Sequence, residues 1–325
     1  MKTEAKPVAH GLSRFGAIAF LAASSALWSV PADSAAQAPG ALTCLVVAEL
    51  FLAPGCEVAA EDTASAGNPA PLWGRLDCAA AARHEHEHVL VGGDTHLTAT
   101  GLPQTDTGFR RLKVLDGDNV YGERCELGRN EHRYGENGGA GTFALYREGD
   151  HDVTFLSLRL PASFPLNATA WQVVMQMKQT QPADNGGGTP VISLHASHGR
   201  WSVWQSDSAG SSSTSHAVWS TPATRGVWTR FAFDIVYSQD PSVGSIKVYV
   251  DRNGDGDAVD AGEQSPEIST YTLKRETAGG GIITEGESVP AHLRAGIYHN
   301  STVPCAAPTG CAAEVDNVQV VDVDG

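Results

Sequence analysis

The chain has 325 residues, 42% of them hydrophobic and 18% charged, with 35 Gly, 17 Pro and a formal net charge of −15. That balance excludes nucleic-acid binding through the overall field. Apolar segments spread along the whole length exclude a disordered protein, and the length suits one large all-β domain.

In chain order, the first predicted element is a targeting segment. Lys2, Lys6 and Arg14 form a basic region, Phe15 to Trp28 is an apolar run too short to span a bilayer, and ADSAAQA supplies small residues for cleavage near Ala36 or Ala38. Residues 1–36 are therefore expected to be a signal peptide, and the mature chain to be secreted and extracellular, without membrane attachment. Cleavage removes a net +1 (Lys2, Lys6, Arg14 against Glu4, Asp33), so −15 becomes −16. Such a protein repels polyanions at long range, so a site for one needs its own local cations. Residues 37–72, rich in Ala, Pro and Gly, read as an N-terminal extension or linker. Its one apolar run, LVVAELFL (45–52), suits either a short helix or a strand.

All six cysteines lie in the exported part: Cys44, Cys56, Cys78, Cys125, Cys305 and Cys311. An even count in an exported chain predicts disulfides. Cys305 and Cys311 flank the turn-rich AAPTG and form the first predicted pair. Cys44 with Cys56 is plausible, which leaves Cys78 with Cys125 by elimination. No CxxC or paired His/Cys spacing points to zinc.

From Trp73 to the end, short alternating runs are separated by Gly, Asn, Asp, Ser and Pro clusters. The predicted strands are HEHVLV, RRLKVLDG, ERCELG, TFALYRE, HDVTFLSLRL, WQVVMQMKQT, VISLHAS, RWSVWQS, VWTRFAFDIVYS, SIKVYVD, HLRAGIYHN and VDNVQVVDV. Long amphipathic helices and fixed-period repeats are lacking. A dozen such strands predict an all-β domain over 73–325: a β-jelly roll of two stacked antiparallel sheets. SDSAGSSSTSH (206–216) reads as a polar loop.

Several stretches carry chemistry. In HEHEH, His84, His86 and His88 share one strand face. Histidines two apart along a strand rarely converge on a metal, so a strand near a cleft edge is preferred, with His88 or His86 as a candidate base. In GERCELG, Arg124 and Glu126 share a face, a cation held beside an anion. In WQVVMQMK, strict alternation puts Trp171, Val173, Met175 and Met177 in the core, and Gln172, Val174, Gln176 and Lys178 opposite. His195 and His198 are further candidates for a base. On RWSVWQS, Trp204 points opposite to Trp201 and Val203, and one of the two tryptophans could stack on a sugar. In HLRAGIYHN, His292, Arg294, Tyr298 and Asn300 share a face, with Gly296 giving room between them. A phenol so placed can serve as both acid and base.

DRNGDGDAVDAGE (251–263) puts Asp251, Asn253, Asp255, Gly256 and Asp257 at the first, third, fifth, sixth and seventh positions of a calcium loop. The twelfth position is Gly262, with Glu263 one residue late. The flanks read as strand, so an acidic hairpin insertion is preferred. Calcium is the one cofactor the sequence raises, through Asp251, Asn253, Asp255 and Asp257.

Taken together, RCELG at 124–128, QMK at 176–178 and HLRAGIY at 292–298 resemble, in the same order, three strands of the heparinase-I-like and glucuronan lyase group of polysaccharide lyases. More distantly they are similar to the R-[ST]-E-L-R, Q-[IV]-H and Y-F-K-A-G-V-Y strands of the jelly-roll alginate lyases. The resemblance extends from about Trp73 to the end and includes the closing VDNVQV. It implies β-elimination at a uronic acid of an acidic polysaccharide by a monomeric enzyme. Gln176 would contact the carboxylate, Arg124 would help position it, and Arg294 would take the place of the motif's Lys. Tyr298 would donate the proton, and could also remove it. There are departures. The His of Q-[IV]-H is Lys178 here, and the second Arg is Gly128. They leave the base and the particular uronan open. The rivals are a non-catalytic carbohydrate-binding module of the same fold, and a glycoside hydrolase, which would need two carboxylates across the cleft.

Overall fold

Alternating sequence becomes alternating burial. Phe109–Val114 puts Leu112 and Val114 into the core, and Trp228–Val236 puts Phe231, Phe233 and Ile235 there. The computed structural model describes residues 58–62, 73–79, 86–89, 93–94, 108–119, 122–129, 145–179, 189–207, 214–275 and 288–323. The targeting segment, LVVAELFL, Cys44, Cys56 and His84 lie outside them.

In chain order the strands are Val58–Asp62 (β1), Trp73–Cys78 (β2), His86–Val89 (β3), Phe109–Val114 (β4), Glu123–Arg129 (β5), His151–Arg159 (β6), Gln172–Gln179 (β7) and Ile192–Ser197 (β8). Then come Arg200–Ser206 (β9), Ser215–Pro222 (β10), Trp228–Val236 (β11), Ser245–Asp251 (β12), Ile268–Ser269 (β13), Ala291–His299 (β14) and Cys311–Asp322 (β15). One sheet runs β13-β12-β11-β6-β15-β4-β3, with β1 also pairing β15; the other runs β10-β9-β8-β7-β14-β5-β2. Every described pairing is antiparallel. Among the described residues there is no helix. The expected all-β jelly roll of two stacked sheets is what the chain forms.

The main core lies between the sheets, with Met175, Met177, Leu194, Trp201 and Val203 from one and Leu156, Leu158, Phe231, Phe233 and Val248 from the other. A smaller cluster of Phe155, Ala232, Tyr249 and Val321 lies on the far side of the larger sheet, where Ala258 of the 251–263 hairpin covers it.

Several sequence expectations shift. Val58–Asp62, inside the stretch read as an extension, is a strand of the larger sheet, paired with β15. The described part of TFALYRE contributes one bridge, Tyr146 to Ala291, and not a strand. The end of the polar loop becomes β10, paired along β9. Two disulfides are formed, Cys78–Cys125 and Cys305–Cys311. The first joins register partners on β2 and β5.

Where β5 ends and β6 begins, Arg129, Tyr146, Asp150, Asp152 and Asp322 line a cavity of 290 Å³. The Tyr146 ring stacks on Tyr237 at 4.5 Å. Burial pushes the Asp152 carboxyl up to about 7; Arg129 pulls it down, while Asp322 and Asp150 push it further up.

Candidate active site

The three motif strands are neighbours. β14 pairs β7 on one side and β5 on the other. Arg294 lies opposite Gln176, His292 opposite Lys178, and Tyr298 opposite Arg124. Side chains alternate across a strand, so while Leu293, Ala295, Ile297, Met175, Met177, Cys125 and Leu127 fill the core, their neighbours turn to the other face.

Glu126 is the hub of that face, and it is 1% exposed. It accepts from the Gln176 amide at 2.5 Å, pairs with Arg124 at 3.3 Å, and lies 3.7 Å from Arg294. Asp77, at the sheet edge on β2, takes the other share of Arg294 at 2.8 Å. Arg294 also donates to Nε2 of His292 at 3.0 Å. Arg124, Glu126, Arg294 and Asp77 are thus paired and hydrogen-bonded, which is the condition for keeping charges out of water. The five fixed charges, Arg124, Arg294 and Lys178 against Glu126 and Asp77, sum to +1.

Tyr298 is half-buried and held on three sides. The Arg124 guanidinium lies 3.9 Å over its ring. Trp171 meets it edge-on at 4.8 Å. Gly122 lies beneath: a Cβ there would come within 2.8 Å of the ring, and its φ of +101° suits glycine. Gly296 does more than give room. Its φ is +145°, and a Cβ would fall 2.3 Å from the Cys125 carbonyl oxygen.

Strict alternation along WQVVMQMK fails at Val174. The register slips between Val173 and Met175 against β8, and between Ala295 and Tyr298 on β14. Val174 joins Met175 and Met177 in the core, Val173 leaves it, and Trp171 stands beside Tyr298. A bulge inserts one residue and reverses the facing of everything beyond it. Gln176 and Lys178 lie past the bulge and keep their expected face; Trp171 and Val173 do not keep theirs.

On the next two strands, Ser193 bonds Nε2 of His195 at 2.9 Å, and Trp204 stacks on that imidazole at 5.1 Å with an interplanar angle of 18°. Burial pushes His195 down to about 4. Trp201 is the core tryptophan.

Two expected site residues lie elsewhere. His88 is on β3 of the other sheet, opposite Arg110, because His86–Val89 pairs with residues 109–112 of β4. Asn300 follows β14 and closes a turn, its side-chain oxygen accepting from Thr302 N at 3.0 Å and Oγ1 at 2.7 Å. Asp77 was missed because WGRLDC has no long alternating pattern to mark it as a strand.

The 251–263 hairpin spends its oxygens internally. Asp251 is fully buried, takes Gly254 and Gly256 N–H groups, and pairs with Arg230 at 2.5 Å. Asn253 accepts from Asp255 N, Asp255 from Asp257 N, and Asp257 from Val259 N. These are turn bonds, and the guanidinium stands beside the first expected ligand, so as arranged the donor set does not fit calcium. Among the described residues the one group of three ligand atoms within 4.8 Å is His299, Cys305 and Cys311, whose sulfurs are already joined to each other.

The polysaccharide lyase family model matches residues 82–318. The chain belongs to the polysaccharide lyase family. Among solved structures, the lyase is similar to the endo-β-1,4-glucuronan lyase of the fungus Trichoderma reesei, at 14% identity over 78% of this chain and 99% of that one, TM-score 0.49. It is also similar to the marine alginate lyase of Aplysia kurodai, at 11% identity over 66% and 83%, TM-score 0.42. A third is alginate lyase PA1167 of Pseudomonas aeruginosa, at 13% over 66% and 82%, TM-score 0.39. No curated protein sequence matches the chain.

Proposed function

We propose that this lyase cleaves a uronic-acid polysaccharide by β-elimination on the β5–β14–β7 face, and that it does so as a secreted monomer. The observation that carries the reading is the convergence of an amide, three cations and a tyrosine on three adjacent strands. Elimination needs the uronate carboxylate neutralised so that the C5 proton becomes acidic. Gln176 supplies an amide donor, and Arg124, Arg294 and Lys178 supply positive charge around it. Electrons of the C5–H bond form the C4=C5 double bond as the C4–O4 bond breaks. The oxygen of Tyr298 takes the C5 proton and passes it to the departing O4, so the side chain ends as it began. Glu126 and Asp77 act through the arginines, as positioning residues. No step uses a metal.

Secretion is supported by the basic, apolar and small-residue order of the N-terminus and by two disulfides, which persist in oxidising compartments.

The test is ultraviolet absorbance of unsaturated uronate during incubation with uronic-acid polymers. A rise is expected, lost in Tyr298→Phe and cut by roughly a hundredfold or more in Gln176→Ala. Binding without any rise, on every polymer tried, would sink the reading.

A further inference from the structure

The sheet that carries the site is divided by charge. Two rows of register partners cross it. One runs Ala217, Trp204, Ser193, Gln176, Arg294; the other runs Ser202, His195, Val173, Tyr298, Arg124. On β7, β14 and β5 they pass over the cations and carboxylates of the reaction centre. On β8, β9 and β10 they carry serines, an alanine, an indole and an imidazole, with no ionised side chain.

We propose that the β8–β9 half of this face is a subsite for an uncharged sugar, so that the preferred polymer carries an uncharged unit next to the uronate it cleaves. The inference rests on the uronate reading above and extends it. Trp204 lies three strands from Tyr298, about 14 Å across the strands at ordinary spacing and further again along them, which places it beyond the sugar being cleaved. Its half-buried indole is backed by His195, the arrangement of a rigid stacking surface. His195 is 8% exposed, and its Nδ1 and the Nε1 of Trp204 are both buried, so it is the face of the indole and not its N–H that is offered to a sugar. The imidazole behind it, pushed down to about 4 by burial, carries no charge near neutral pH and gives a carboxylate no counter-ion. Arg200, at the first position of β9, lies outside both rows, and its guanidinium is tied to Ser220 at 3.0 Å. A homopolyuronate laid along these rows would bring a second carboxylate onto positions that carry no charge to meet it. The net charge of −15 disfavours so dense a polyanion from the start.

The test compares initial rates of absorbance rise for the full protein on three polymers. Two alternate: unsulfated glucuronate with N-acetylglucosamine, and glucuronate with an unsubstituted hexose. The third is polyglucuronate. An alternating polymer is expected to give a kcat/KM roughly tenfold or more above polyglucuronate. Trp204→Ala should raise KM on that polymer and leave kcat, Trp204→Phe should restore it, and Ser202→Lys should lower KM on polyglucuronate. Polyglucuronate cleaved as well as the alternating polymers, with Trp204→Ala affecting both alike, would overturn the subsite and leave the uronate reading standing. A flat trace on all three with a rise on alginate would overturn the subsite alone, and a flat trace on alginate as well would overturn both.

Discussion

Asp152 contributes to the pH dependence of stability, and Asp152→Asn measures its share. The carboxyl is 8% exposed, beside Asp150, Asp322 and Arg129, and its pKa is pushed up from the ordinary 3.8 to about 7 by burial. In the unfolded chain it ionises at the ordinary value. Between the two values the native state holds a proton that the unfolded state has lost, so stability falls as pH rises through this window. A difference of about three pKa units, at ~1.4 kcal/mol each, amounts to about 4 kcal/mol once the pH is above the folded value. An amide of the same shape never ionises. Asp152→Asn should therefore match the wild type at about pH 4, gain on it steadily, and exceed it by about 4 kcal/mol at about pH 8. In a domain of this size that is roughly 10 °C in Tm. Urea unfolding followed by intrinsic fluorescence at one-unit pH steps reads the difference. Parallel curves for the two proteins would refute the reasoning, since they would mean that burial leaves this carboxyl where it is in the unfolded chain.

Three further outcomes follow from the geometry. Gly296→Ala drives a Cβ into the Cys125 carbonyl at a backbone angle that L residues avoid, and should cost about 3 kcal/mol in urea unfolding together with most of the activity. Replacing both Cys78 and Cys125 by serine opens a link across 47 residues and should cost about 4 kcal/mol, also read by urea unfolding. Excess calcium, compared with a chelator in a thermal melt, should leave Tm unchanged, because Arg230 and the loop's own N–H groups already take the Asp251 oxygens. A rise would mean that the hairpin rearranges to take the ion.

How much of this was legible in the sequence depends on range. Alternation is local, and it marked β5, β7 and β14 well enough to put Arg124, Glu126, Gln176, Lys178, Arg294 and Tyr298 on one face. Their order along the chain matched strands that the structure makes adjacent. Long-range pairing is not local. HEHEH carries nothing that says which sheet it joins, so His88 was expected near the cleft and lies on the other sheet. Asp77 has no alternating neighbours to announce it, yet it holds Arg294. Asn300 extends the alternation of β14 by one step, and only the turn that follows shows that the strand has ended. Trp171 and Val173 were misplaced because a bulge is invisible to a rule of period two.

The paired slips on β7 and β14 also limit how this site could be altered by insertion or deletion. Between the same two cross-strand partners, β7 places Val174 alone while β14 places Gly296 and Ile297. Because Val174 and Met175 both face the core, removing Val174 would return β7 to strict alternation with Val173 and Trp171 still on the Tyr298 side. Adding a residue to β14 would send Tyr298 towards the core and bring a neighbour out. A length change in β14 therefore exchanges inside for outside over half a strand, whereas the loss of the extra residue in β7 leaves both faces as they are. Substitutions can vary the side chains around Tyr298 one at a time, but the length of β14 is held by the facing of Tyr298 itself.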